Sequence, residues 1–531
     1  MKKNTILILL LIIIVGSFFR LFWITKSPPS LNWDEAALGY NSYSLLTTGK
    51  DEYGHKLPLV LRSFDDYKPA LYSYLTAPFI AVFGLNELSV RLISVLSGVS
   101  IIFLVFLIAR KLFDEKIGLI SALFISIEPW AVHFSRAAFE ANLGLALILT
   151  GIYFGLKIKE NSRFIFPSVF FLGLSAYSYH AYKLLFLPIV FLFVLENLKT
   201  LKKGNTKIYF ALTLVAILIP LFVTLKSGEG FKRLEATSII KIWQKDQSVF
   251  SVIDNPVFNL GKEVVGRYFA YFSPANLFVR GTNEPNQKVH DFGIFYTLDI
   301  LFYLIGFYFF AKNRFKPKIL LYLILIAPLP ATITWNWFAP VRTLLMFVLL
   351  PIIFSLGLVE FFKFLGNQKL ILKSLITFAL VVFYLNSILN LGTTLYLYMP
   401  YAEKGNWQYG FREILSYVDP ISSKYDKIIF ETGQGQPHIF TLFYSKYDPA
   451  KYHRDIVCPD CVEKPRKNFN FGKYNFRGIF WPSDRDLNNT LFIGSTYSLP
   501  EGDILSTKDA KILKDIYDER GDFVARVVEK K

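Results

Sequence analysis

Apolar runs of about 17 to 23 residues, each bounded by charge, recur along this chain, and that is the length an α-helix needs to cross a hydrocarbon core of about 30 Å. Eleven such runs lie near residues 5–24, 88–109, 117–133, 141–156, 164–179, 183–198, 208–225, 292–311, 319–334, 341–362 and 372–392. Composition agrees: of 531 residues, 53% are hydrophobic and 17% aromatic, only 19% are charged, and mean hydropathy is +0.38. A soluble chain of this size needs a larger polar exterior. The same figures exclude disorder, collagen and coiled coil, and two Cys exclude a disulfide scaffold. The expectation is a polytopic α-helical membrane protein with about eleven transmembrane helices.

Net charge of +17 would suit nucleic acid, but its placement argues otherwise. With the N-terminus cytoplasmic, the inside segments are Lys2/Lys3, 110–116, 157–163, 199–207, 312–318 and 363–373, which together hold about 19 Lys and Arg with few acids. The positive-inside rule accounts for most of the charge and leaves no basic patch for nucleic acid. The first run lacks a small-residue cleavage site and reads as a retained anchor. The chain therefore reads as an integral plasma-membrane protein: a multi-span region, 1–395, with outer loops 25–87 and 226–291, and a small extracytoplasmic α/β domain, 396–531. In that domain a helix is expected at 410–418 and strands at 427–432, 438–444, 478–481, 490–495 and 523–529.

Chemistry-bearing residues gather at the outer ends of the spans. Asn32-Trp33-Asp34-Glu35 opens a helix that Gly49 can end, with Asn32 and Glu35 spaced as a capping box and Asp34 at the positive end of the helix dipole. Asp34 is also well placed to take a proton from an incoming nucleophile beside the membrane. Lys68-Pro69-Ala70-Leu71-Tyr72 opens an apolar stretch too short to span, with Pro69 expected at the first helical position and Lys68 either snorkelling or meeting a phosphate. A third outer segment carries Glu128, His133, Arg136 and Glu140, and ionisable groups at membrane depth are candidate functional residues. Arg136 and Glu140, four apart, suit a simple helical pair as well. Tyr177, Tyr179, His180, Tyr182 and Lys183 form an aromatic belt or a sugar-phosphate site; Arg342, near Trp335, Asn336 and Trp337, has the planar fork that grips phosphate.

The ordered set Asp34-Glu35, Lys68-Pro69-Ala70-Leu71, the run from Phe83 to Leu92, His133-Phe134-Ser135-Arg136 and Glu140 resembles the membrane glycosyltransferases related to protein O-mannosyltransferases and to the lipid A aminoarabinose transferase. The resemblance covers about the first 200 residues. It implies a GT-C fold and transfer of a sugar from a polyprenyl-phosphate carrier to a protein, lipid or glycan acceptor on the outer face. It further implies that Asp34 activates the acceptor, that Lys68 sits near the carrier phosphate, and that Glu140 is the second acidic position; Glu35, read first as a capping residue, joins the catalytic candidates beside Asp34. Tyr72, His133, Arg136, His180, Lys183 and Arg342 complete the expected substrate-binding set. Ala70 stands where a second Pro is common, and Glu140 where many relatives have Asp.

No metal ligand is assigned and no cofactor is expected beyond the lipid-linked sugar. The six His show no zinc spacing, and a divalent ion held by Asp34, Glu35, Asp65 and Asp66 is the less favoured reading. Cys458 and Cys461 suit a local disulfide outside the cytoplasm. The competing class is a transporter or flippase, which should show repeated halves and interrupted helices at the midplane.

Overall fold

The computed structural model describes residues 2–64, 66–201, 206–226, 238, 256–433, 435–456 and 470–531. Asp65, Cys458 and Cys461 lie outside them. The first half of the chain runs α1 (Lys3–Leu21), α2 (Trp33–Thr48), β1 (Val60–Ser63), β2 (Asp66–Pro69), α3 (Leu71–Phe83), α4 (Glu87–Leu112), α5 (Glu115–Ile127), α6 (Pro129–Arg136), α7 (Glu140–Leu156), α8 (Ile165–Ser175) and α9 (His180–Glu196). The chain divides into two compact units: residues 1–24, 67–72 and 93–397, and residues 25–66, 73–92 and 398–531. Segments 25–66 and 73–92 thus group with the C-terminal residues 398–531.

The first unit is helical. Among the described residues, five helices are long and apolar enough to cross a membrane: Lys3–Leu21, Glu87–Leu112, Thr206–Thr224, Leu344–Gly366 and Leu370–Ala402. The pair α5 and α6, bent by 57°, passes the same test only when taken together, as a broken span or a re-entrant loop. Other expected runs form shorter apolar helices, among them Glu140–Leu156, Ser162–Ser175 and Lys318–Thr332. Pro129 makes the break in the pair: Glu128 closes α5 as its C-cap and the proline opens α6 at its first position. Helix 344–366 is buried along most of its length and meets helix 299–312 at two glycines. A Cβ on Gly306 would strike the Ile353 carbonyl, and one on Gly357 the Phe302 carbonyl, so the backbones approach to a distance no other residue permits.

α1 ends on two buried arginines. Arg20 sends its guanidinium to the carbonyls of Gly16 (2.9 Å), Ser126 (3.0 Å) and Ile125 (2.9 Å) and to Ser135 Oγ (3.2 Å). Arg136, at the end of α6, donates to the carbonyls of Phe19 (2.6 Å) and Phe22 (2.8 Å) and lies over the Tyr396 ring. The last carbonyls of a helix have no partner inside it, so Arg136 satisfies the end of α1 and Arg20 the end of α5.

In the second unit, a five-stranded sheet runs in the order β4 (Tyr474–Phe476), β3 (Lys427–Phe430), β5 (Thr490–Gly494), β7 (Phe523–Lys530), β6 (Ala510–Tyr517). β3 is parallel to both β4 and β5, and the β7 pairings are antiparallel. The expected helix at 410–418 is present as Phe411–Ile421, and strands form at three of the five expected places. Segment 438–444 is instead the helix Pro437–Tyr444: Pro437 presets its first turn, and nearly every side chain is buried, which hides any period. Segment 478–481 is irregular before a helical turn at Trp481, and β4 lies just upstream of it. α2 packs on Pro437–Tyr444 through Gly39, where a Cβ would meet the Phe443 ring.

Candidate active site

Two constellations stand out, one in each unit. In the first, Lys68 lies in β2 and not at a helix start, because the extended backbone continues through Pro69 and α3 begins only at Leu71. The expected Pro69 at the first helical position is therefore corrected, and with it the helix N-terminus as the lysine's partner at an anion. What fixes the segment is the turn between α8 and α9: His180 Nε2 donates to the Tyr67 carbonyl (2.7 Å), and the Leu71 N–H donates to the Tyr177 carbonyl (3.3 Å). That contact puts the His180 proton on Nε2. Lys68 is buried, with its ammonium 4.0 Å from a Glu140 carboxylate oxygen.

Glu140 begins α7, where the helix dipole favours a carboxylate. The same turn ties that helix start down through Ser178 Oγ to the Glu140 carbonyl (2.6 Å) and the Tyr182 hydroxyl to the Ala141 carbonyl (2.9 Å). Lys68, Glu140 and Arg342 all act electrostatically on the buried Tyr179, and Lys68, Lys183 and Arg342 act on His180. Arg342 is aimed by Thr334 Oγ1 (2.7 Å) and Asn336 Oδ1 (2.9 Å), and Asn336 in turn donates to Glu284. Four of the expected substrate-binding residues, Lys68, His180, Lys183 and Arg342, are thus gathered with Glu140. Tyr72 is fully buried where α3 begins.

His133 and Arg136 serve elsewhere. His133 is buried on α6, its Nε2 2.8 Å from the Asn286 carbonyl, which pins the loop preceding helix 299–312. Arg136 is spent on the end of α1.

In the second unit, the capping box at the start of α2 is formed: the Glu35 N–H donates to Asn32 Oδ1 (2.9 Å) and the Asn32 N–H to Glu35 Oε2 (3.2 Å). Glu35 is almost fully buried, and Arg91 grips it with Nε to Oε1 (3.0 Å) and Nη2 to Oε2 (3.2 Å). Arg91 also holds the carbonyls of Pro28 (3.0 Å) and Ser30 (2.6 Å). Glu35, offered above as an acid for chemistry, thus serves the cap and the arginine. Asp34, the residue before it in the same first turn, is half-buried, and the neighbouring Trp33 N–H is fixed by Gln408 Oε1 (2.7 Å). Arg91 lies within the run from Phe83 to Leu92, and its signal in the sequence is a fixed charge inside an apolar stretch.

Chemically, the first constellation offers cations and hydroxyls to an anion, and the second a carboxylate held in place by a rigid turn. Among the described residues, no group of three or more His, Cys, Asp or Glu side chains is gathered so as to hold a metal ion.

Residues 67–223 match the family model of dolichyl-phosphate-mannose-protein mannosyltransferases. Among solved structures, ArnT from Cupriavidus metallidurans bound to undecaprenyl phosphate aligns at a TM-score of 0.55 with 13% identity, covering 99% of this chain and 98% of that one. The oligosaccharyltransferase AglB from Archaeoglobus fulgidus, in complex with an inhibitory peptide and a dolichol-phosphate, aligns at 0.51 with 14% identity, covering 83% of this chain and 64% of that one. No curated protein sequence matches the chain. At these identities the structural likeness concerns the fold.

Proposed function

We propose that the chain is a GT-C membrane glycosyltransferase, a reading supported by the family model matched over residues 67–223 and by the fold shared with ArnT, and that it transfers one sugar from a polyprenyl-phosphate donor to an acceptor hydroxyl on the outer face of the membrane, with inversion. The observation that carries this reading is the gathering of Lys68, Lys183 and Arg342 with Glu140 around Tyr179 and His180. Three cations against one carboxylate leave this constellation net positive, and a lipid phosphate suits it.

In the reaction, the acceptor oxygen attacks the anomeric carbon as the bond from that carbon to the phosphate oxygen breaks. The acceptor proton passes to the Asp34 carboxylate, and the carrier leaves as polyprenyl phosphate with one more negative charge. That charge develops in the transition state, where Lys68 and Arg342 stabilise it without needing a general acid. Glu140 holds the Lys68 ammonium in place and keeps the site from being purely cationic before the donor arrives. Glu35 and Arg91 hold the turn that presents Asp34. The nature of the sugar and of the acceptor follows from neither constellation.

Eleven spans with the N-terminus inside and the C-terminal α/β domain outside complete the proposal, on the strength of the basic bias of alternate loops. Cysteines introduced at Lys50 and Lys116 test it. In intact cells a membrane-impermeant thiol reagent should label the first and spare the second, and the reverse pattern would invert the topology. For the activity, purified protein is incubated with polyprenyl-phosphate sugars and candidate acceptors. Acceptor-dependent release of polyprenyl phosphate supports transfer. Uptake of the lipid-linked sugar into vesicles without turnover would favour a flippase.

A further inference from the structure

In the second unit, the parallel strands end beside the turn that carries Asp34. From β3 the chain goes to β4 on one side, and from β4 it crosses back to β5 on the other, so the segments leaving β3 and β5 head in opposite directions. At such a reversal a parallel sheet opens a crevice outside the carboxyl ends of its strands, and ligands bind there. Ile414, Phe430, Glu431, Gly494 and Ser495 line it in this protein. Glu431, directly after β3, takes the Ser495 N–H at 2.7 Å on one carboxylate oxygen and the Ser498 hydroxyl on the other. A carboxylate accepts about four hydrogen bonds, so this one is held still with capacity left for hydroxyl groups.

Two aromatic residues stand open at the same end of the sheet. Tyr497, in the loop that Glu431 pins at Ser495 and Ser498, is 92% exposed. Trp33, the residue before Asp34, is 40% exposed and yet fixed. Gln408 Oε1 accepts its N–H, and Phe64 meets its ring edge-on at 6.3 Å. Gly435, in the segment that leaves β3, comes so close that a Cβ there would lie 3.5 Å from the Trp33 ring. Its φ of +122° is one that glycine adopts without a steric penalty. A ring held still and left open is a preformed contact surface, because a ligand that covers it orders little.

An occupant must therefore bring apolar faces to the two rings and hydroxyls to the carboxylates of Asp34 and Glu431. A pyranose does both, with C–H groups on its faces and hydroxyls around its rim. Peptides are caught by adding a strand to a sheet edge or by laying a helix in a groove, and the ends of these strands offer neither. We propose that the acceptor is a glycan: one sugar ring stacks on Trp33, which positions the reacting hydroxyl at Asp34, and the glycan continues past Glu431 to Tyr497. The assignment rests on the transferase reading above, from which it takes Asp34 as the base. If Trp33 served only to anchor the turn in lipid headgroups, any large apolar side chain would do in its place.

The test uses the full chain in lipid nanodiscs, free of sugar-based detergent and without donor, so that binding is read apart from transfer. Mannotriose, cellotriose, N-acetylchitotriose, their monosaccharides and a threonine-containing hexapeptide are titrated, with saturation-transfer NMR reporting which ligand protons touch the protein. At least one trisaccharide should bind, through its ring C–H protons and more tightly than its monosaccharide, and the peptide should not displace it. Trp33→Leu should weaken that binding by about tenfold or more, the usual loss when a Trp central to an interface is truncated, while Trp33→Phe keeps most of it. Tyr497→Ala, on a side chain the fold does not bury, should weaken the trisaccharide by about threefold and leave the monosaccharide unmoved. Absence of binding by all three trisaccharides overturns the proposal, and so does equal binding by Trp33→Leu and Trp33→Phe, which would make the residue an apolar anchor. A trisaccharide Kd unmoved in Tyr497→Ala refutes the path past Glu431. Donor turnover with the peptide and with no glycan would keep the transferase reading and sink this one. Glycan binding intact in the absence of any turnover would leave the sugar site standing and overturn the transferase reading.

Discussion

Glu35→Gln is the sharpest probe of how the second constellation works, because the substitution keeps the size of the side chain and removes only its charge. A glutamine oxygen can still accept the Asn32 N–H, so the cap alone would lose a few tenths of a kcal/mol. The structure demands far more. Arg91, with no exposed surface, would keep the carbonyls of Pro28 and Ser30 and the 3.2 Å bond to the remaining oxygen, but that oxygen would be neutral and the 3.0 Å contact would be replaced by an opposing amide N–H. Removing one member of a buried ion pair costs about 3 to 5 kcal/mol, since the other charge stays buried without compensation. For a unit of roughly 200 residues, 1 kcal/mol moves the midpoint by about 2 to 4 °C, so Tm should fall by roughly 6 to 20 °C. The assay is thermal unfolding of purified protein in detergent, followed by tryptophan fluorescence, with turnover measured well below the variant's midpoint. Arg91→Met in the Glu35→Gln background should recover part of the loss, because the uncompensated charge is gone. A Glu35→Gln protein melting within about 2 °C of the parent would refute the claim that this pair, and not the cap alone, holds the turn.

Asp34→Asn should behave in the opposite way, with Tm unchanged and turnover lower by about 10² to 10⁴, measured with saturating donor and acceptor. Lys68→Ala should raise the donor KM by about 10- to 100-fold with the acceptor KM unmoved, since a charge-assisted contact is worth about 1.5 to 3 kcal/mol. In the C-terminal domain, burial opposes the charge on Asp518, but the Lys404 ammonium at 2.8 Å and the N–H groups of Arg520 and Asp522 outweigh it and hold the carboxyl down at about 2. A group lowered in the folded state adds stability above its unfolded value of about 4, which is lost as pH falls towards 2. Lys404→Met should therefore lower Tm at neutral pH and flatten the Tm profile between about pH 4 and 2. Gly306→Ala should cost about 1 to 3 kcal/mol by pushing a methyl into the Ile353 carbonyl, and an unshifted melting curve would mean the helices can part.

What the sequence disclosed depended on how far apart the interacting residues lie. The capping box at Asn32 and Glu35 is written within four residues and appears as expected, as does the Gly49 stop, which takes a left-handed conformation. Apolar run length located the helices, but Pro129 divided one expected span and several others emerged shorter than a membrane's width, because length on paper includes turns. Pro69 was misleading, since a fixed φ suits an extended strand as well as a first helical turn. The aromatic segment 438–444 reads as a strand because β-branched and aromatic residues suggest a pleated surface, whereas burial on nearly all sides leaves a helix no period to display. Arg91 and Glu35 are 56 residues apart, and Lys68 and Glu140 are 72 apart; no local pattern announces such pairs. They were legible only as charges whose partners had to exist.

The grip of Arg20 on the carbonyls of Ile125 and Ser126 has a consequence for how the protein is made. The first helix emerges from the ribosome long before those carbonyls exist, and a lone guanidinium is not stable in hydrocarbon. Until α5 arrives, the end of the first helix must rest at the headgroup level, where Arg20 can stay hydrated. Only when the later helix is handed over can the anchor settle to its final depth, with Gly98 leaving the space beside Ser135 that the guanidinium occupies. The geometry thus predicts a two-step seating of this helix, with insertion first and a late exchange of hydration for protein carbonyls at Arg20.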